Sequence, residues 1–365
     1  MIWSGAVAPR GVRQPSRRAR QAAWRRFRVV RLDLGRVRDA VNSIDPAFLR
    51  TPQFGSGPLD VALGCSVTLK VETLNPVRSF KGRGTELVMS RLASERRYPS
   101  VVCASAGNLG QALAYSGSRR GIPVAVFAAA SASAMKIERM RSLGATVHLD
   151  GNDIERPRAL AREFAQVEGA FLVEDSLNVD TCEGAATIGL ELLAGDERPD
   201  VLIIALGGGA LASGVGYVTR QLSPSTEVVA VQPTGAPAMA LSWRKGTVVN
   251  TDTIDTIADG VAGRHPIPEV LDDLLKVVDD VVLVDDDLIK RGMRLLFERA
   301  GLVVEPSAAL GVAAILGNPE RFAALSVATV VCGSNVTPAD FRAWAMDSHG
   351  DVPDPKRRRA RRSSR

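Results

Sequence analysis

The sequence predicts a doubly wound α/β protein, and three observations carry that reading. Short β-branched runs alternate with longer amphipathic or alanine-rich stretches from residue 67 onward, the pattern of a parallel sheet wrapped by helices. Gly121, Gly144, Gly169 and Gly195 close successive helical stretches, where a left-handed C-terminal residue is expected. No segment repeats at a fixed period, which removes solenoid folds.

Along the chain, residues 67–72 (VTLKVE) form the first expected strand and residues 79–95 (SFKGRGTELVMSRLASE) the helix after it. The β-branched run 101–105 (VVCAS) leads into the helix 108–121, 123–129 (PVAVFAA) into 133–144, and 145–149 (ATVHL) into 156–169. Strand 171–175 (FLVED) precedes an alanine-rich helix at 183–195; strand 201–206 (VLIIAL) precedes a small-residue helix at 210–222; strands 228–233 (VVAVQP) and 327–331 (VATVV) complete the pattern. Residues 233–275 mix Pro, Gly and polar residues and suit a segment lining a site.

With 365 residues, 45% hydrophobic and 24% charged, the chain can bury a sizeable core in one large domain or two closely packed ones. Cys65, Cys103, Cys182 and Cys332 include no CxxC pair, and His148, His265 and His349 are scattered, so neither a zinc site nor a disulfide framework is expected. The net charge of +6 belongs to the ends. Residues 1–38 hold 11 Arg against one Asp, residues 351–365 hold seven Lys and Arg against two Asp, and residues 39–350 carry 28 positive against 37 negative side chains. A nucleic-acid partner is therefore not expected, and truncation of residues 1–38 is expected to leave activity intact. The charge-free run 201–219 nearly matches a membrane span in length, but five glycines divide it into strand, loop and helix.

Ligands of open α/β sheets bind beyond the carboxyl ends of the strands. Four strand-to-helix junctions stand out: Ser79-Phe80-Lys81-Gly82-Arg83-Gly84, Ser105-Ala106-Gly107-Asn108, Gly207-Gly208-Gly209-Ala210-Leu211 and Cys332-Gly333-Ser334-Asn335. The glycine run lacks both GxGxxG spacing and a Lys-Ser/Thr ending, so it suits a phosphate held on backbone N–H groups at a helix N-terminus, or simply a tight turn. Lys81 falls in the first turn of a helix, where a cation is disfavoured by the dipole; loss of that charge in an imine would relieve the conflict, and a solvated surface lysine is the plainer alternative.

These junctions, with Asn75-Pro76 and Glu305-Pro306-Ser307-Ala308, resemble in order the motifs of the fold-type II (tryptophan synthase beta-like) pyridoxal-phosphate enzymes over residues 45–345. Thr256-Ile257-Ala258-Asp259-Gly260-Val261 and Val304-Glu305-Pro306 are similar to the serine/threonine dehydratase branch. The resemblance implies two open-sheet domains with the cofactor in the cleft between them: residues 39–85 and 171–348 as the larger domain and 86–170 as a smaller one closing over substrate, flanked by an Arg-rich extension (1–38) and a basic tail (349–365), both without fixed structure.

It further implies that Lys81 forms the imine with pyridoxal 5'-phosphate and acts as base, that Phe80 packs near the ring, and that Asn108 bonds the ring's 3-hydroxyl. Gly207, Gly208, Gly209, Ala210 and Leu211 would hold the phosphate, and Cys332 would face the pyridine nitrogen. Ser79, Ser105, Ala106, Gly107 and Gly260 would surround the substrate, with Glu305 behind them. A neutral thiol at Cys332 leaves the nitrogen unprotonated and favours β-elimination over transamination. The implied reaction is ammonia-lyase chemistry on L-threonine, L-serine or another β-hydroxy amino acid, with a threonine synthase-like β- or γ-replacement as the alternative and a non-catalytic binding protein as the third reading. A cytoplasmic homodimer is also implied.

Departures bear on substrate more than on cofactor. Val77-Arg78 replaces the usual Thr-Gly, Leu109 stands where dehydratases often carry His, Ala210 replaces a fourth glycine, and Ser307 occupies a position often Thr or Gly. Ala106 stands where serine racemases carry a second serine, which disfavours racemisation. Gln232 and Ala238 replace the acids of a divalent-cation site, so no metal is expected.

Overall fold

The computed structural model describes residues 30–347. Ten strands form two sheets. The larger takes β1 (Gln53–Gly55), β2 (Ser66–Val71), β7 (Val201–Ala205), β8 (Glu227–Pro233), β9 (Asp280–Val284) and β10 (Ser326–Val331) in the order β1-β2-β10-β7-β8-β9, parallel except for β1. The smaller takes β3 (Val101–Ala104), β4 (Val124–Ala128), β5 (Thr146–Leu149) and β6 (Phe171–Val173), all parallel, in the order β5-β4-β3-β6.

The central strands are buried on both faces, which is why they read as continuous apolar runs. In β7 every residue of VLIIA is buried, and fully covering side chains such as Ile203 and Ile204 contributes about 1.5–3 kcal/mol each.

Three helices carry the junctions. Helix α2 (Lys81–Glu95) follows β2, α3 (Asn108–Ser118) follows β3, and α6 (Ala210–Leu222) follows β7. Helix α2 also crosses α5 (Val179–Leu192) at very close range. A Cβ on Gly84 would stand 2.8 Å from the Thr181 backbone, and one on Gly184 would stand 2.5 Å from the Arg83 carbonyl, so the crossing requires glycine on both helices.

At that crossing Arg83 is completely buried. Its guanidinium bonds Glu72 through Nε and Nη2 at 2.8 Å each, Glu191 through Nη1 at 2.7 Å, and Thr187 at 3.0 Å. Lys70 Nζ meets the other Glu191 oxygen at 2.6 Å, giving two cations and two anions that tie β2, α2 and α5 together. Burial alone would push the Glu191 carboxyl up, but the hydrogen bonds and charge of Arg83, then Lys70, hold it down at about 2.

Several expectations are corrected. The Arg-rich extension is shorter than its composition suggests, because residues 31–40 belong to the fold. Arg31 donates Nε to Asp273 at 2.7 Å and its two Nη groups to the carbonyls of Leu177 and Ser176 at 2.7 and 3.0 Å. Leu32 and Val37 are buried, and Arg36 of α1 (Leu34–Ala40) reaches the buried Glu183 at 2.7 Å. The arginines between those residues mask their apolar spacing in the sequence. Residues 1–29 and 348–365, where the rest of the extension and the basic tail fall, lie outside the described residues.

The smaller sheet runs past the expected boundary at residue 170, because β6 pairs with β3. Gly121, Gly144 and Gly169 have the left-handed φ expected of them, but Gly195 does not cap α5. That helix ends at Leu192 with Leu193 as its C-cap, and both side chains are buried. The stretch 233–275 is more regular than expected, holding helices Ala238–Lys245 and Pro268–Val277, and the loop between them, with Met239 of the first helix, lines the cavity described next.

This packing makes two measurable demands. Because the Glu191 carboxyl is depressed, its stabilisation is complete above the unfolded carboxylate value and is lost as pH falls through about 2; Glu191→Gln should cost on the order of 3 kcal/mol in urea unfolding at pH 7 and flatten the acid limb of the stability profile. Removing residues 1–38 should lower the melting temperature by several degrees relative to removing residues 1–29, since the longer truncation strips Arg31 from Asp273 and empties the pocket that Leu32 fills.

Candidate active site

The carboxyl ends of both parallel sheets open onto one cavity of about 680 Å³. Phe80 and Lys81, Ser105 through Asn108, Gly207 through Leu211, Gly260, Glu305 and Cys332 all line it. Ser79 does not. It is buried behind Lys81, where its backbone forms an antiparallel bridge with Gly333.

That bridge fixes the position of Lys81. The Phe80 N–H donates to the Cys332 carbonyl at 3.0 Å and the Ser334 N–H to the Arg78 carbonyl at 2.9 Å, so the segment entering α2 is clipped alongside the segment leaving β10. Arg78 adopts φ 53°, a left-handed conformation costly for a side chain with a Cβ, at the position where the related motifs carry glycine. Lys81 Nζ lies 4.7 Å from the Phe80 ring centroid and forms an ion pair with the Asp175 carboxylate.

Asn108 begins α3, and its amide joins three segments. Its Nδ2 donates to Glu305 at 2.8 Å, and its Oδ1 accepts from Asn335 Nδ2 at 2.7 Å. The other Glu305 oxygen accepts the Asn335 N–H at 3.0 Å. Burial pushes the Glu305 carboxyl up, and the Asp259 charge adds to this, while Lys136 and the hydrogen bonds oppose it. Burial likewise pushes the Cys332 thiol up, reinforced by Glu305, so this position presents a neutral S–H to the cavity.

The glycine turn forms a cradle for an anion. Gly209 has φ 113°, and a Cβ there would stand 2.4 Å from Val270; one on Gly207 would stand 3.0 Å from the Val261 backbone. Among the described residues, the N–H groups of Gly207, Gly208 and Gly209 donate to no backbone carbonyl, and the Ala210 N–H donates to Ser176 Oγ at 3.0 Å. At the neighbouring turn, Ser105 Oγ accepts the Gly107 and Gly110 N–H groups at 3.2 and 3.1 Å.

Three residues here were not anticipated from the sequence. Asp175 and Ser176 follow β6, at the end of the expected strand FLVED; the strand-end rule that found the other junctions, applied to that strand, points to them. Lys136, on the helix α4 (Ala134–Ser142), is buried beside Gly107 and pairs with Asp259. Nothing local in its sequence marks it. Gln232, at the place of a cation-binding acid in the related motifs, instead accepts the Ala240 N–H at 2.9 Å. Among the described residues no group of three His, Cys, Asp or Glu side chains is gathered as for a metal ion, and no helix is long and apolar enough to cross a membrane.

Comparison with known proteins agrees with this geometry. Residues 44–333 match the family described as pyridoxal-phosphate dependent enzyme. The chain is 32% identical over 300 residues to the L-threonine ammonia-lyase of Thermotoga maritima, covering 82% of this chain and 75% of that one. It is also 32% identical over 321 residues to the L-threo-3-hydroxyaspartate ammonia-lyase of Saccharomyces cerevisiae, covering 88% and 98%. Maize serine racemase superposes with a TM-score of 0.80 at 29% identity, over 85% of this chain and 96% of that one. A threonine deaminase from Solanum lycopersicum gives 0.78 at 26% identity, over 87% and 94%. With the match spanning both sheets and the cavity between them, this chain belongs to the pyridoxal-phosphate dependent enzyme family and has the fold of its type II members.

Proposed function

We propose that this chain dehydrates and deaminates a β-hydroxy amino acid, giving a 2-oxo acid and ammonia. The single observation that carries the reading is the convergence, on one cavity wall, of a lysine amine, a turn of free N–H groups and a neutral thiol. The relatives named L-threonine ammonia-lyase, L-threo-3-hydroxyaspartate ammonia-lyase and phenylserine dehydratase share a hydroxyl on the β-carbon of their substrates, which supports the substrate class.

The residues present fit pyridoxal phosphate. The cradle over Gly207 and Gly209 has no room for a Cβ and offers donors to a phosphate, the Lys81 amine lines the same cavity, and the buried Ser307 Oγ has no hydrogen-bond partner among the described residues. When bound, the cofactor supplies an electron sink for the bond breaking at Cα.

The protein's own residues do the rest. Gly207, Gly208, Gly209, Ala210 and Leu211 would hold the phosphate, helped by the dipole of α6. Phe80 would pack against the ring, Asn108 would bond its 3-hydroxyl, and Cys332 would offer the ring nitrogen a group too weakly acidic to protonate it. Ser105, Ala106 and Gly107 orient the substrate carboxylate, with Gly260 across the cavity, so that the α-hydrogen faces Lys81. Lys81 then takes that proton on Nζ. Ala106 stands where serine racemases carry a second serine, which speaks against racemisation. The homodimer and the cytoplasmic location remain inferences from the resemblance.

Oxo-acid release from a panel of L-serine, L-threonine, phenylserine and threo-3-hydroxyaspartate tests the assignment. Lys81→Ala should lose the imine absorbance and all turnover while remaining folded by circular dichroism; a yellow, active variant would refute the role. Cys332→Ser should stay within about twofold of wild type. Cys332→Asp, which favours a protonated ring nitrogen, should lower elimination by about tenfold or more and raise the share of transamination, with the cofactor still bound.

A further inference from the structure

Elimination of a hydroxyl has a difficulty that the residues assigned above leave open. Hydroxide is a poor leaving group, so a proton must reach the oxygen as the Cβ–O bond breaks. Lys81 receives a proton in the same event and must give it up again.

Asp175 stands where that proton has to pass. One of its carboxylate oxygens pairs with Lys81 Nζ, the other is buried without a hydrogen-bond partner among the described residues, and the side chain lines the same cavity. Its position is built, not incidental. Ser176 beside it holds φ 67°, its hydroxyl accepts the Ala210 N–H at 3.0 Å, and its carbonyl takes a guanidinium N–H of Arg31 at 3.0 Å.

We infer that Asp175 is the general acid of the elimination, relaying the proton from Lys81 to the departing oxygen. The inference rests on the β-elimination reading of this site. As the Cα–H bond breaks, its proton goes to Lys81 Nζ and its electron pair becomes the Cα=Cβ bond. The Cβ–O pair leaves on oxygen. Asp175 accepts the proton from the Lys81 ammonium and delivers it to that oxygen, so water departs and both side chains return to their starting states. No other reactant is needed.

Chloride leaves without a proton, and this gives the test. With the Asp175→Asn holoenzyme, elimination from L-serine or L-threonine should fall about 10²–10⁴-fold, the usual contribution of a positioned acid, while elimination from β-chloro-L-alanine should stay within a few-fold of wild type. Removal of an anion beside the imine should also move the visible-absorbance titration of the bound cofactor to lower pH by about one unit or more. Should the Asn variant not retain cofactor, Asp175→Ser with added formate serves: rescue of hydroxyl but not chloride elimination is expected. Equal losses with both leaving groups would mean that Asp175 only positions Lys81 and would overturn the inference, as would no loss at all or absence of rescue in the Ser variant. Failure of the wild-type enzyme to eliminate from either substrate would instead overturn the β-elimination reading and this inference with it.

Discussion

A guanidinium sealed from water must be neutralised entirely by the protein, and the organisation around Arg83 follows from that requirement. Glu72 comes from the segment just after β2, Glu191 from α5, and Arg83 itself lies two residues beyond Lys81 on α2. The network therefore fixes the helix that carries Lys81 against both the sheet and the helix beneath it. The glycines at the crossing let the backbones come close enough for short bonds to form. On the other side of Lys81, the backbone bridge to Gly333 removes the remaining freedom. One end of the lysine segment is held by charge and the other by main-chain pairing.

Much of this was legible in the sequence, and the reason is physical. Strands buried on two faces must be apolar throughout, so VLIIAL and VATVV announce themselves, and ligands gather where such strands end. The four junctions accordingly converge on one cavity. What escaped the reading depended on partners far away in the chain. Arg31 and Asp273 are 242 residues apart, and neither looks unusual locally. A short strand such as β1, with all three residues exposed, carries no periodic signal. Lys136 reads as one of several charges on an amphipathic helix until the fold places it beside Gly107 and Asp259.

The cavity combines acids whose ionisation burial opposes with exposed charged pairs. Glu305 and Cys332 sit deep, where burial opposes ionisation, and the hydrogen bonds of Glu305 link Asn108 of the smaller sheet's helix to Asn335 beyond β10. The amide of Asn108 is thereby oriented from both of its ends. Charged pairs occupy the rim instead. Lys136 with Asp259, and Arg264 with Asp153 at 2.7 Å, each join the small-sheet side to the loop following helix Ala238–Lys245.

Those rim pairs respond to their surroundings differently from the Arg83 cluster. Asp259 and Asp153 are 62% and 54% exposed, so counterions reach the anionic side of each pair and screen it more than they screen the Arg83 cluster. The buried cluster is shielded from that screening. Ionic strength thus bears more on the ion pairs at the mouth of the cleft than on the scaffold that carries Lys81, and the two can be weakened separately: the first by salt, the second only by acid.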